Sequence, residues 1–331
     1  MLLKVHSIFS VLIVFACCTA SQAQTTGSGN PPAPAAANVA PPASKQATDD
    51  LPSGGTIISR SNLVNVVFTV TDKHGKFIKD LRQADFRVLD NNLPPKEITG
   101  FESETNLPMR VGLLIDASNS IRDKFLFEQQ AAIEFLQHTL DIKKDKAFVL
   151  AFDEVPIVEQ DFTSDLEKLA KGVHAIRPGG GTAMWDAVYY ACRDKLMKEP
   201  VTETVRRAII LVSDGDDNQS RVLRQEAIEM AQRAGVIVYS ISTNLSNIHD
   251  SGDHNLQLIA EATGGRAFFP FKLQDLADDF HEIQGELRSQ YSISYKPDQL
   301  VLNGAFRPIL ISTENKKLKV RAKRGYYATT K

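Results

Sequence analysis

The chain has 331 residues, room for one large domain or two modest ones, and is 43% hydrophobic and 24% charged, an ordinary globular composition that can supply a sizeable core. Its formal net charge of −2 offers no basic face for nucleic acid. No polybasic stretch sits beside an apolar one to suggest a charged membrane surface.

Residues 1–23 read as a secretory signal peptide. Lys4 precedes an apolar run from Ile8 to Ala16, and Ser21-Gln22-Ala23 satisfies the small-x-small rule, which places cleavage after Ala23. The run is short for a membrane span, so none is expected in the mature chain. An uncleaved anchor is one alternative. Lipid attachment at Cys17 is another, since "VFAC" loosely resembles a bacterial lipobox, although Phe15 fits poorly. The expected location is the periplasm or the cell surface. Cys17 and Cys18 fall in this segment, which leaves Cys192 without an intramolecular partner. Cys192 shares a helical face with Met184, Val188 and Ala191 and reads as a buried apolar residue.

Residues 24–58 are expected to be a disordered spacer. Up to residue 55 they are dominated by Pro, Ala, Gly, Ser and Thr, with Val39 and Leu51 as the only larger aliphatics, too little to offset the entropy of ordering. Residues 59–105 form an N-terminal β flank: "NLVNVVFTVTDKHGKFI" alternates around a turn, and "DFRVLDNNLPPKEITGFES" adds two short strands.

Residues 106–289 alternate strand and helix. Strands are expected at "MRVGLLID", "KAFVLAFD", "IVEQDF", "RRAIILVSD", "VIVYSIS" and "GRAFFP", several of them continuous apolar runs suited to a sheet covered on both faces. Helices are expected over Ile121–Leu140, Asp165–Ala175, Thr182–Met197, Val222–Ala234, Asn255–Ala262 and Leu273–Gln290. This predicts an α/β domain with a doubly wound, mostly parallel sheet. Residues 290–331 return to strands, "QYSISYK", "RPILIST" and "LKVRAKRGYY". Neither flank has enough strands alone, so both are expected to form one β-sandwich of about six strands with the α/β domain inserted.

Three polar loops follow strand ends or precede helices, where ligands bind in such sheets. "VGLLI" runs into Asp116, Ser118 and Ser120; "RPGGGT" ends at Thr182; "AIILVS" runs into Asp214. Thr182 also fits a helix N-cap. A serine nucleophile needs a base within reach. His138, His174, His249, His254 and His281 stand in no recognisable triad context, and no G-x-S-x-G elbow exists. An aspartyl nucleophile would want a second Asp where Ser118 stands. No enzymatic activity is therefore expected, with a metal-dependent hydrolase as an alternative. Two carboxylates and three hydroxyls are hard oxygen donors that suit Mg²⁺, with Mn²⁺ or Ca²⁺ as other occupants, and soft ligands for zinc are absent. Hydroxyls do not cancel the ion's charge, so it can attract an outside carboxylate.

"DASNS", "GGGTAMWDA" and "LVSDGDDN" resemble the three loops of a von Willebrand factor type A domain with its metal-ion-dependent adhesion site. The resemblance implies that Asp116, Ser118, Ser120, Thr182 and Asp214 hold one divalent ion, and that an Asp or Glu of a protein partner completes the coordination. "VFTVTDKHGKFIKDLRQADFRVLDNN", "AEATGGRAFFP", "ELRSQYSISYKP" and "RAKRGYY" resemble a VWFA-related family known largely from acidobacterial genomes, mostly exported proteins of undefined role.

Asp186 and Asp216 are candidates for orienting the ligands from behind, although Asp186 equally fits a first-turn acid favoured by the helix dipole. Asp216 and Asp217 also fit solvated loop acids or a second ion site. Trp185 fits either a binding rim or packing against a loop, and "HDSGDH" at 249–254 reads as a polar insertion loop. The expected function is non-catalytic binding or adhesion, the alternative a structural component of the cell envelope with a vestigial metal site. Partner identity and oligomeric state are not encoded in these patterns.

Overall fold

The structure, a computed structural model, describes residues 63–103, 107–119, 125–200, 205–244, 250–272 and 274–328. The signal peptide and the whole of the spacer thus lie outside the described residues, as does Ser120.

The N-terminal flank folds into β1 (Val64–Thr71), β2 (Phe86–Asp90) and β3 (Glu97–Ser103). The α/β region follows as β4 (Met109–Asp116), α1 (Phe125–Thr139), β5 (Lys146–Phe152), β6 (Pro156–Thr163), α2 (Leu166–Ala175) and α3 (Met184–Tyr190). It continues through β7 (Arg206–Ser213), α4 (Arg224–Ala234), β8 (Val236–Ser242), α5 (Ser251–Thr263), β9 (Ala267–Phe268) and α6 (Asp275–Leu287). The tail supplies β10 (Gln290–Lys296), β11 (Phe306–Thr313), β12 (Lys319–Ala322) and β13 (Gly325–Tyr327).

The central sheet has the order β6-β5-β4-β7-β8-β9. All its pairs are parallel except β5–β6. Every residue of β4 and β8 is buried, as the apolar runs require. Side chains alternate between two layers: Val111, Leu113 and Ile115 face α1, α2 and α6, while Leu114 faces α3, α4 and α5.

Among the described residues the two flanks form one sandwich of seven strands rather than about six, with sheets ordered β12-β1-β10-β3 and β13-β11-β2. Tyr291 at the start of β10 pairs with Ser103 at the end of β3, so the chain leaves for the α/β domain and returns from it at neighbouring points. The junction is clasped at the amino edge of the parallel sheet. Arg288 Nη2 reaches Asp145 Oδ2 at 2.9 Å, and Asp145 Oδ1 accepts the Met109 amide at 2.8 Å. Tyr239 donates to Glu286 Oε1 at 2.9 Å and accepts from Gln290 Nε2 at 3.0 Å.

Two expectations need correction. Asp250 does not sit in an insertion loop but N-caps α5, its side chain accepting from the Asp253 amide, so residues 251–254 form the first turn of the helix; His249 lies outside the described residues. The helix expected to Met197 changes after Tyr190 into a π-helical turn over Ala191–Leu196, where Cys192 is buried and its thiol is pushed up by burial alone.

Inside the sandwich, Asp90 is 1% exposed and joins both sheets. Its Oδ1 accepts from Arg307 Nε at 2.7 Å, and its Oδ2 accepts from the hydroxyls of Tyr295 and Tyr326 at 2.9 Å each. Removing one partner of a buried, hydrogen-bonded charge pair typically costs about 3–5 kcal/mol. Asp90→Ala is therefore expected to lower unfolding free energy by about that amount in urea denaturation; a change below about 1 kcal/mol would show that the network contributes little.

Candidate metal centre

From β4, α1 leads to β5 on one side and one face of the sheet; from β7, α4 leads to β8 on the other side and the opposite face. Where neighbouring strands send their connections apart in this way, a crevice opens at their carboxyl ends. Asp116 ends β4 and Ser213 ends β7, so both walls of the crevice begin with polar groups.

Asp116 is fully buried. Its Oδ1 accepts the Ser118 amide at 2.8 Å and its Oδ2 accepts the Ser213 hydroxyl at 2.6 Å. Burial pushes its carboxyl up to about 6 from the usual 3.8; the Ser213 and Ser118 donors pull it back, and the Asp214 carboxylate adds to the rise. Among the described residues no Lys or Arg side chain pairs with it.

Ser118 and Thr182 are also buried, at 3% and 4% exposure. Backbone bonds hold their loops together. Gly179 N donates to Ala117 O at 2.7 Å and Ala183 N to Asp153 O at 2.6 Å. Thr182 does not cap α3: Ala183 takes the N-cap position, with no side-chain cap bond. The Thr182 carbonyl accepts from the amides of Asn218 and Gln219 at 3.0 and 3.1 Å, and Thr182 N donates to Asn218 Oδ1 at 3.0 Å. A Cβ on Gly181 would lie 2.6 Å from Gln219 Cγ, so this approach of the two loops depends on glycine.

Asp214 is half-buried, and its Oδ1 accepts the Asp216 amide at 3.2 Å. Gly215 has φ +80°, and a Cβ there would lie 2.1 Å from Gly252 O, so the loop lies directly on the start of α5. The described loops thus bring Asp116, Ser118, Thr182 and Asp214 to one crevice.

Asp186 works on the loop rather than beside Asp116. Its Oδ1 accepts the amides of Arg221 and Val222 at 3.0 and 2.8 Å, fixing the far end of the segment that begins at Asp214. Asp216 is exposed; partial burial and the nearby carboxylates of Asp214 and Asp250 raise its carboxyl. Trp185 is not on a rim: it is 5% exposed and packs in the layer with Val188 and Cys192.

Sequence reasoning missed Ser213 and Asn218 here and read Asp217 only as a solvated loop acid or part of a second ion site. Ser213 bonds Asp116, Asn218 ties Thr182, and Asp217 Oδ2 accepts the Trp185 amide at 3.0 Å and the Ser220 hydroxyl at 2.6 Å. The one available signal was the hydroxyl preceding Asp214 at a strand end. Among the described residues no group of three His, Cys, Asp or Glu could hold a metal, so any ion here depends on hydroxyl donors. A buried carboxylate that no cationic side chain meets among the described residues, a second carboxylate beside it and two buried hydroxyls are a donor set that fits a hard dication.

Residues 111–286 match the family model described as the von Willebrand factor type A domain. Proximal thread matrix protein 1 of the mussel byssus is 14% identical over 60% of this chain and 50% of its own, with a TM-score of 0.47. A structure of that protein with a zinc-occupied MIDAS motif gives 14% identity, the same coverages and a TM-score of 0.49. A von Willebrand factor type A protein from Catenulispora acidiphila is 15% identical over 74% of this chain and 72% of its own, with a TM-score of 0.49. The chain spans about half the length of the mussel protein. No curated protein matches it.

Asp116 gives the metal-free protein a specific pH dependence. Its folded value, about 6, lies above 3.8, so between these values the folded chain keeps a proton that the unfolded chain has released. The stability this proton provides is present at acid pH and is lost as pH rises through 6. In EDTA, lowering the pH from 7.5 to 5 should stabilise wild type by about 1.4 kcal/mol relative to Asp116→Asn. Urea denaturation of both at the two pH values checks this, and equal responses would contradict it.

Proposed function

The chain belongs to the von Willebrand factor type A domain family, and on that premise we propose that it is an exported, non-catalytic binding module whose Asp116, Ser118, Ser120, Thr182 and Asp214 hold one Mg²⁺. The observation that carries this reading is the Asp116 carboxylate, buried at the switch point with no cationic side chain against it among the described residues and with Ser118 and Thr182 buried on the adjoining loops. Buried charges of that kind are normally paired or metal-bound. Mn²⁺ or Ca²⁺ takes the same oxygen donors. Three of the five groups are neutral hydroxyls, so the bound ion keeps affinity for an Asp or Glu carboxylate from a protein partner. Asp186, Asp217 and Asn218 hold the loops in register, and Asp216 remains a border acid.

Export is supported by residues 1–23, and residues 24–58 serve as a spacer that carries the domain away from the membrane. Among the described residues no helix is long and apolar enough to cross one.

Titration calorimetry with Mg²⁺ tests the reading. Wild type is expected to take up one ion at or below millimolar concentration. Ser118→Ala should weaken uptake on the order of tenfold through loss of one neutral ligand, and Asp116→Ala should abolish it. Circular dichroism should be unchanged in both, because neither side chain belongs to the two apolar layers. No uptake by wild type, or equal uptake by all three, would leave the chain a scaffold with a vestigial site.

A further inference from the structure

The crevice has an acidic border. Asp153 and Glu154 follow β5, Asp214 and Asp216 follow β7, and Asp250 precedes α5, all at the carboxyl edge of the sheet. A Cβ on Gly180 would lie 3.3 Å from Asp153 Cβ and 3.1 Å from Glu154 Cγ, so these two acids touch the glycine loop that leads to Thr182. Of the cations near this edge, Arg177 donates to the carbonyls of His174 and Ile176, and Arg224 donates to Asn255 Oδ1 at 3.1 Å. Among the described residues Arg177, Arg221 and Arg224 thus stand against five acids, the two bonded arginines keeping their charge because their acceptors are neutral oxygens. A partner presenting only acids would be repelled; its carboxylate has to arrive among cations.

That combination exists on this chain. The turn between β11 and β12 reads Thr313-Glu314-Asn315-Lys316-Lys317-Leu318, and its four central residues are all exposed. It is pre-shaped: Thr313 Oγ1 donates to Asn315 O at 3.0 Å, Lys317 N to Asn315 Oδ1 at 3.1 Å and Leu318 N to Asn315 O at 3.0 Å. Lys319 pairs with Thr71 at the end of β1, which places the exposed Lys73 and Lys76 alongside. Among the described residues Glu314 makes no hydrogen bond or ion pair, and no carboxylate pairs with Lys316, Lys317 or Lys319. Asp72, the nearest acid of the β1 turn, accepts the amides of His74 and Lys76.

The turn cannot serve its own crevice. Lys319 and Lys73 share a hollow with Arg266 and Glu286, beside the end of α6. That places the turn by the amino edge of the sheet, whereas the crevice opens at the carboxyl edge.

We propose that the carboxylate completing the ion's coordination is Glu314 of a second copy of this chain, so that the protein self-associates head to tail in the presence of Mg²⁺. The proposal rests on the metal-binding reading above. The lysines of one copy then meet the acidic border of the next, and because the two surfaces differ, growth is open-ended unless the rotation closes a ring. One turn against a crevice makes a small contact, weak and sensitive to salt.

Sedimentation velocity of the full chain at low salt, in Mg²⁺ and in EDTA, tests the proposal, with Mg²⁺ calorimetry on dilute samples alongside. Wild type is expected to sediment as species larger than one chain in Mg²⁺ and as single chains in EDTA. Glu314→Gln and Asp116→Ala should each remain single in Mg²⁺. Their mixture should form a species of two chains and no larger, since Asp116→Ala supplies only an intact turn and Glu314→Gln only an intact crevice. Wild type that takes up Mg²⁺ yet stays single would overturn self-association and leave the metal reading standing; no uptake would remove both. Assembly by Glu314→Gln equal to wild type would place the contact elsewhere and overturn the proposal. So would metal-independent binding of single chains to phosphatidylglycerol vesicles, which would assign the lysines to an anionic surface.

Discussion

The Asp116 carboxylate, withdrawn from water at the end of β4 with no cationic side chain among the described residues to meet it, is the constraint on which the site depends. An isolated buried charge costs several kcal/mol even after relaxation. Hydrogen bonds from the Ser213 hydroxyl and from the amide and hydroxyl of Ser118 offset only part of this, which is why its carboxyl stays near 6 instead of falling below the ordinary range. A dication changes the balance, because it makes the ionised form the favoured one. The surrounding loops are tied backbone to backbone at Gly179 and Thr182, and by the side chains of Asp186, Asp217 and Asn218, which accept their amides.

The rest of the fold rests on contacts remote from that arrangement. The α/β domain leaves the sandwich after β3 and returns at β10, two hydrogen-bonded neighbours, so the insertion needs no rearrangement of the sandwich. Asp90 holds the two sandwich sheets together with Arg307 and two tyrosines. Both chain connections lie at the amino edge of the central sheet, which leaves the carboxyl edge open to a partner.

The fold was legible because its signals are local. β4, β7 and β8 are unbroken apolar runs, and a run that ends in Asp or Ser marks a buried strand emptying into a polar loop. The three polar loops at the carboxyl edge were legible for the same reason. What escaped were contacts between segments remote in sequence: Ser213 meets Asp116 across 97 residues, and Asn218 meets Thr182 across 36. No spacing rule reports such pairs. The start of α5 was misread because Asp, Gly and His look like a loop, yet Asp250 there satisfies the orphan amide of a helix end. Trp185 was ambiguous because it follows a glycine-rich loop, but its helical phase with Val188 and Cys192 turns it into the core.

Crystals grown with Mn²⁺, read by anomalous difference density, test the central claim most directly. The account predicts one strong peak in the crevice, bounded by Asp116, Ser118 and Thr182, with Asp214 beside it. A map with no peak there, or with its peak held by Asp216 and Asp250 while Asp116 stays bare, would contradict it.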